Sequence, residues 1–373
     1  MVGRSLTARG VVPVWQITIA ALRHRDRLWR AKQPQHSCVS GPVLLIVCFL
    51  ALSGSSSYYE TQLNHDAYVW QRVWTPAVHQ AIGRSRHEMA GWRVLAASSG
   101  SPGQIQEHGV NWTWLAQLGR PVTAVIRIEG QLADWRPDAL SPQILQLVRK
   151  WRYAGHVVSL EIDHDAATSR LPEYAIFLRT LRQLMPGIYI SVTVLPAWLN
   201  SPHLAEVLLS VDASVLQVHA VQNPREGLFN ADLAIRWVLS FARLTQRPFR
   251  VALPTYGSRI FRSDVGGALA VESEEPLLTS YTEANELASS PVEVGRLLDR
   301  LRASPPRNLQ GISWFRLPTT TDQRAWTYAT WQAVMAGARN LGDASPDLIP
   351  GERPGLFDVA VRNTSPMDTE VPT

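Results

Sequence analysis

Between residues 68 and 335, short runs of β-forming residues alternate with stretches whose apolar side chains recur at helical spacing. The strand candidates are 68–74, 92–97, 123–129, 157–163, 189–195, 215–220, 250–255 and 311–315. Among the helices, residues 141–153 carry Ile144, Leu145, Val148 and Trp151 on one face, opened by Ser141 and Pro142 as cap and first-turn proline. Residues 171–184 do the same with Tyr174, Phe177, Leu178, Leu181 and Leu184, and 231–244, 291–301 and 323–335 behave likewise. Strands alternating with helices imply a parallel sheet with crossover helices. Eight such units over about 270 residues predict an α/β fold of the (β/α)8 TIM-barrel type, for which about 250 residues is typical. An open doubly wound sheet is the alternative, but no Gly-rich dinucleotide loop follows any strand.

The barrel is assigned to residues 58–340, with a leader at 1–57 and a tail at 341–373. The net charge of +5 suggests nucleic acid until it is located. Residues 1–41 hold Arg4, Arg9, Arg23, Arg25, Arg27, Arg30 and Lys32 against Asp26 alone, a net of +6 that leaves −1 for the rest. The body therefore lacks a basic footprint, and no nucleic-acid partner is expected. The basic stretch is followed by the apolar run 43–52 and by Ser53, Gly54 and Ser55. That order reads as a secretory signal peptide, with Ala51 and Ser53 placed for a small-x-small cleavage site. An uncleaved anchor is the main alternative, although the run is short of the roughly 20 residues a span needs. The forty residues upstream are long for a signal, which raises an early start codon as a third reading. Export is expected, to the periplasm or to a membrane-anchored position facing outward, with the membrane a partner only if the leader stays. Both cysteines, Cys38 and Cys48, lie in the leader, so the body has no disulfide, cysteine nucleophile or thiolate metal site.

Two segments depart from the repeat. Residues 261–290 insert after the seventh strand and carry Asp264, Glu272, Glu274, Glu275, Glu283 and Glu286, with no Lys or Arg after Arg262. A loop of that length is a lid or binding loop, or a disordered solvated one. In the Pro- and Asp-rich tail, residues 356–363 alternate like one strand, which must pack on the barrel or be the stub of a truncated β-domain.

Alternation along 157–165 puts Ser159, Glu161, Asp163 and Asp165 on one face and Leu160 and Ile162 on the other. Carboxylates stacked on one face of a core strand are expensive to bury, so they mark acid–base chemistry, a cation or a polar ligand, or else are solvated or paired with arginines. Barrel sites form at the C-terminal strand ends. Those ends offer Trp70 and Arg72 on strand one, Arg127 and Glu129 on strand three, Gln217 and His219 on strand six, Tyr256 after strand seven and Trp314 on strand eight. Carboxylates, a Tyr, a His and several Trp on one rim suit a carbohydrate, whose rings stack on aromatic faces. Arg127–Glu129 or Arg72–Glu161 are equally readable as ion pairs in a polar lumen, and the tryptophans as wall. No metal ligand set and no cofactor are assigned, a carboxylate-bound cation being a weaker option. No serine-centred elbow or P-loop pattern occurs.

The opening Asp66-Ala67-Tyr68-Val69-Trp70-Gln71-Arg72-Val73-Trp74-Thr75 resembles the start of a bacterial family of exported proteins of unassigned function. Residues 160–171 resemble the same family, and 311–318 do so more loosely. In that family a β-rich segment follows the barrel, so residues 357–366 look like its first strand. A more distant resemblance is to the chitinase-like retaining glycoside hydrolases. They carry a carboxylate ladder on strand four, a Leu-Pro-x-Tyr-Gly-like strand seven and a Trp on strand eight, matched here by Glu161, Asp163 and Asp165, by residues 253–257, and by Trp314. In those enzymes the last ladder member is a Glu acting as acid. Here it is Asp165, and the position of their first ladder aspartate holds Val158.

The resulting expectation is an exported barrel acting on an envelope or extracellular glycan. Asp165 is the candidate general acid, Asp163 its orienting neighbour, Glu161 a support from below and Tyr256 a stabiliser of the intermediate. Trp70, Arg72, Arg127, Glu129, Gln217, His219 and Trp314 are the candidate substrate contacts. The competing class is a non-catalytic glycan-binding or scaffold protein on a degenerate barrel.

Overall fold

The computed structural model describes residues 63–101, 103–129, 136–155, 157–219, 227–262, 269–272, 284–338, 344–350, 357–363 and 367–368. Eight strands, β1 (Asn64–Val69), β2 (Gly91–Ser101), β3 (Val122–Ile128), β4 (Val157–His164), β5 (Tyr189–Val194), β6 (Ala213–Gln217), β7 (Phe249–Pro254) and β8 (Leu309–Phe315), run parallel. β1 pairs with both β8 and β2, so the sheet closes into the expected (β/α)8 barrel. Each strand is followed by its helix: α1 (Pro76–Ser85), α2 (Trp112–Gln117), α3 (Pro137–Ala154), α4 (Leu171–Leu184), α5 (Leu204–Leu209), α6 (Ala231–Leu244), α7 (Pro291–Ala303) and α8 (Tyr328–Met335). The caps are local: Asn230, Ser290 and Thr327 each accept a hydrogen bond from the backbone N–H three residues on.

The main core lies between the ring of strands and the ring of helices. Leu160 and Ile162 on β4 meet the buried face of α4, where Leu171, Phe177, Leu178 and Leu181 point inward. Trp92, Trp151, Trp198, Trp314 and Trp331 are fully buried there. Each large apolar side chain removed from water stabilises the fold by about 1.5–3 kcal/mol.

Four boundaries differ from the sequence reading. β1 starts at Asn64 rather than at 68, because Asp66 faces a polar lumen and pairs with Arg93 and Arg250; it has no apolar signature to find. β6 ends at Gln217, which leaves His219 just beyond the strand. α3 begins at Pro137, so Ser141 and Pro142 lie inside it; the Ser141 hydroxyl donates back to the Pro137 carbonyl at 2.8 Å. In the tail, Phe357–Asn363 is one half of an antiparallel hairpin with Ala344–Pro350, whose prolines hide it from a propensity scan. The tail end is tied to α8: Thr327 N donates to Asp368 at 2.7 Å and Asp368 N donates to Thr330 at 2.6 Å.

The insertion after β7 holds a three-stranded antiparallel sheet in which Gly257–Arg262 lies between Leu269–Glu272 and Ala284–Ala288. Asp264, Glu274, Glu275 and Glu283 lie outside the described residues, as does the leader 1–57. Among the described residues, no helix is long and apolar enough to cross a membrane.

Gly311 marks where β8 touches β1. A Cβ there would run into the Asn64 carbonyl and the Arg250 guanidinium. Gly311→Ala is expected to destabilise by about 1–3 kcal/mol, as overpacking does. A lowered urea midpoint with unchanged slope checks it; an unchanged midpoint refutes the close packing.

Candidate active site at the barrel mouth

The inward face of each strand sorts the lumen into levels. Deep inside, Glu161 on β4 is fully buried with both oxygens engaged. Tyr68 Oη donates to its Oε1 at 2.6 Å, and Ser191 Oγ and the Arg93 guanidinium donate to Oε2, the former at 2.9 Å. Arg93 also reaches Asp66 at 3.3 Å, and Arg250 pairs with Asp66 at 2.9 Å. Burial raises the Glu161 carboxyl above its ordinary range, with Arg93, Tyr68 and Ser191 pulling against it. Glu161 has no open side and sits beneath the other two carboxylates, where a support is expected. Its cation is Arg93, not the exposed Arg72. Beside this network Tyr68, Val125, Val215 and Ala252 form a small apolar plug, with Trp70 and Phe315 packed on it.

One step higher on β4, Asp163 meets Arg127, its register partner on β3. Arg127 Nη1 donates to Asp163 Oδ2 at 2.7 Å; Thr193 Oγ1 and Gln217 Nε2 donate to Oδ1 at 2.6 and 3.3 Å. Asp165 stands just past the strand. Arg127 Nη2 holds its Oδ2 at 2.5 Å, while its Oδ1 is buried and makes no hydrogen bond among the described residues. Burial pushes the Asp165 carboxyl above the usual carboxylate range; Arg127 pulls it back, and the Asp163 charge adds to the rise. Glu129 lies beside them, 4.0 Å from Arg127. Each of the three carboxylates thus has an arginine on one oxygen, as the ion-pair alternative requires.

Facing the carboxylates is an aromatic cluster around Phe315. His219 stacks on it at 5.1 Å, and Trp70 and Tyr256 meet it edge-on at 4.9 and 5.5 Å. His219 Nδ1 is 3.3 Å from the Tyr256 hydroxyl, and its buried Nε2 has no partner among the described residues. Burial lowers His219 to about 4 and raises Tyr256 to about 12, so both are neutral near pH 7. Tyr256 feels the Asp165 charge and His219 that of Asp163, which brings the two sides together electrostatically.

Trp70, Arg127, Glu129, Gln217, His219, Tyr256, Asp163 and Asp165 therefore gather at one strand-end rim. Trp314 does not. It is fully buried, its Nε1 donates to His65 Nδ1 at 2.9 Å, and it packs against Trp326 and Trp331. Strand parity turns it toward the helices, which corrects it from a candidate contact to core wall, and turns the next residue, Phe315, inward. Sequence reading also missed Thr193, and Ser98 with His108, whose Oγ and Nε2 lie 3.1 Å apart. For Thr193 and Ser98 the only signal is a polar residue within an apolar strand, and His108, outside any strand, has none. Among the described residues, no three of His, Cys, Asp and Glu are placed to hold a metal ion.

Residues 118–320 match a family described as a domain of unknown function, DUF3142. The chain belongs to that family. The match takes in residues 160–171 and 311–318; the opening motif at 66–75 lies ahead of it. Among solved structures, the chain is similar to a chitinase from Chromobacterium violaceum ATCC 12472, with a TM-score of 0.53 and 13% identity over 75% of this chain and 100% of that one. It is also similar to the Bacillus cereus spore cortex-lytic enzyme SleL, with a TM-score of 0.52 and 13% identity over 74% of each chain. The Bacillus megaterium SleL gives 0.53 at 11% identity over 74% of each. No curated protein matches the chain. At these identities the likeness is one of fold: this DUF3142 member shares a closed (β/α)8 barrel with these enzymes.

Proposed function

We propose that this DUF3142 protein is exported and hydrolyses an envelope or extracellular glycan at the barrel mouth, with Asp165 as general acid. The observation that carries the reading is the Asp165 carboxyl, buried at the end of the ladder with one oxygen fixed by Arg127 and the other unpartnered. A general acid must hold a proton near neutral pH, and burial beside a second carboxylate favours that form. Asp163, held by Arg127, Thr193 and Gln217, orients it. Tyr256, neutral and 3.3 Å from His219 through its hydroxyl, offers the lone pairs of its phenol oxygen to the positive charge that develops on the sugar. Trp70 and Phe315 supply the aromatic surface for the ring. The leader 1–57 delivers the barrel outside, to the periplasm or an outward-facing anchored position.

One observation favours a second reading, a non-catalytic glycan-binding barrel. A guanidinium on Asp165 favours its ionised form, which cannot donate a proton. The two readings separate on Asp165→Asn, tested on a panel of envelope glycans and exopolysaccharides. A general acid contributes about 10²–10⁴-fold to the rate, so the variant should lose that much product release while keeping its retention on the same glycan. Retention without release by either protein makes the barrel a binding module. Neither release nor retention removes carbohydrate as the ligand for that panel.

A further inference from the structure

Arg127 is anchored at one end and shared at the other. Its Nη1 sits 2.7 Å from Asp163, its direct neighbour across β3 and β4. Its Nη2 sits 2.5 Å from Asp165 Oδ2 and 4.0 Å from Glu129 Oε2. Glu129 is the more solvated of the two, 25% exposed against 10% for Asp165. We propose that Arg127 is a positioning residue shared between Asp165 and Glu129, and that its transfer to Glu129 frees Asp165 to hold the proton it donates. The inference rests on the proposed acid role of Asp165.

The charges around Asp165 leave few other candidates. From β3 it meets Arg127, which Glu129 just past the strand also approaches, and on its own segment Asp163. Tyr256 beyond β7 and Tyr174 on α4 sense its charge and are uncharged in the neutral range. His219 beyond β6 is neutral above about pH 4, as is His164, which precedes it. Arg170, at the start of α4, pairs with Glu173 at 3.0 Å. Among the described residues, the balance at Asp165 is therefore set by the Arg127 guanidinium against Asp163, and Glu129 bears on it through Arg127. Arginine keeps its charge at any working pH, so only its position can change what Asp165 feels. With Nη2 on Asp165 the ionised form is favoured; with Nη2 on Glu129, burial and Asp163 favour the protonated form. The proton is taken from solvent before cleavage and given to the leaving glycosidic oxygen, and the water that completes hydrolysis restores it.

A double-mutant cycle read by NMR titration of the Asp165 carboxyl carbon, in the full chain, tests this without needing a substrate. Glu129→Gln removes the second partner, so Arg127 stays on Asp165 and the titration midpoint should fall by about half a pH unit or more, a threefold change in the proton equilibrium. Arg127→Met should raise it. Glu129→Gln added to Arg127→Met should then move the midpoint by less than about a third of its effect in wild type. Arg127→Lys serves if the Met variant fails to fold, because a lysine cannot bridge both carboxylates, and the Glu129→Gln effect should shrink there too. An equal displacement in all backgrounds means that Glu129 acts on Asp165 directly, and overturns the proposal. On a glycan that the wild type cleaves, the high-pH limb of the rate should follow the same order. No cleavage of any glycan by wild type would sink the acid role, while the titration cycle still decides on Arg127.

Discussion

Glu161→Ala is expected to destabilise the barrel by about 3–5 kcal/mol, the range for removing one partner from a buried ion pair. The loss comes less from the missing carboxylate than from what stays behind. Arg93 is 8% exposed and would keep only Asp66, at 3.3 Å, as a charged partner. The Tyr68 hydroxyl, 2.6 Å from Glu161, would lose its acceptor. Urea denaturation measures the effect as a lowered midpoint at unchanged slope. Replacing the pair together, Arg93→Met with Glu161→Leu, should restore most of the loss, because both charges leave at once. Equal loss in the single and double variants would mean that packing, not the stranded guanidinium, is responsible.

Acidification is the second large effect. His65, His164 and His219 are each lowered by burial from 6.5 to about 4. Each is neutral when folded but takes up a proton once unfolded, between about pH 6.5 and 4. Their contribution to stability is therefore complete above pH 6.5 and is lost as pH falls toward about 4. A displacement of this size is worth about 3 kcal/mol for one fully buried group, so the three together remove on the order of 5 kcal/mol or more by pH 4. Glu161 and Asp165, raised by burial, act in the opposite direction and soften the fall. The urea midpoint followed from pH 7 to 4 should decline steeply in wild type and less in His164→Gln and His219→Gln. Parallel declines in all three proteins would place the acid sensitivity elsewhere.

The barrel was legible because its signal is physical and repeated: apolar alternation for the strands, helical spacing for the crossovers. The three-stranded sheet of the insertion and the Ala344–Pro350 strand were not, since short edge pairings leave little apolar pattern. At the mouth, parity along 157–165 puts Glu161, Asp163 and Asp165 on one face, and β4 holds the first two with Asp165 just past its end. Parity also decides between Trp314 and Phe315, but only once the register of β8 against β1 and β7 is known. The partner of a buried charge is harder still. Arg72 and Arg93 both lie near the start of the chain's barrel, and only closure of β1 onto β2 brings Arg93 into the lumen with Glu161.

The measurement that bears most directly on the account is a crystal structure of Asp165→Asn with an oligosaccharide of the retained glycan. A sugar ring is expected against Trp70 and Phe315, with the glycosidic oxygen within hydrogen-bond reach, about 3 Å, of the residue-165 side chain. An oligosaccharide seated elsewhere on the barrel, or a mouth left empty at saturating concentration, would contradict it.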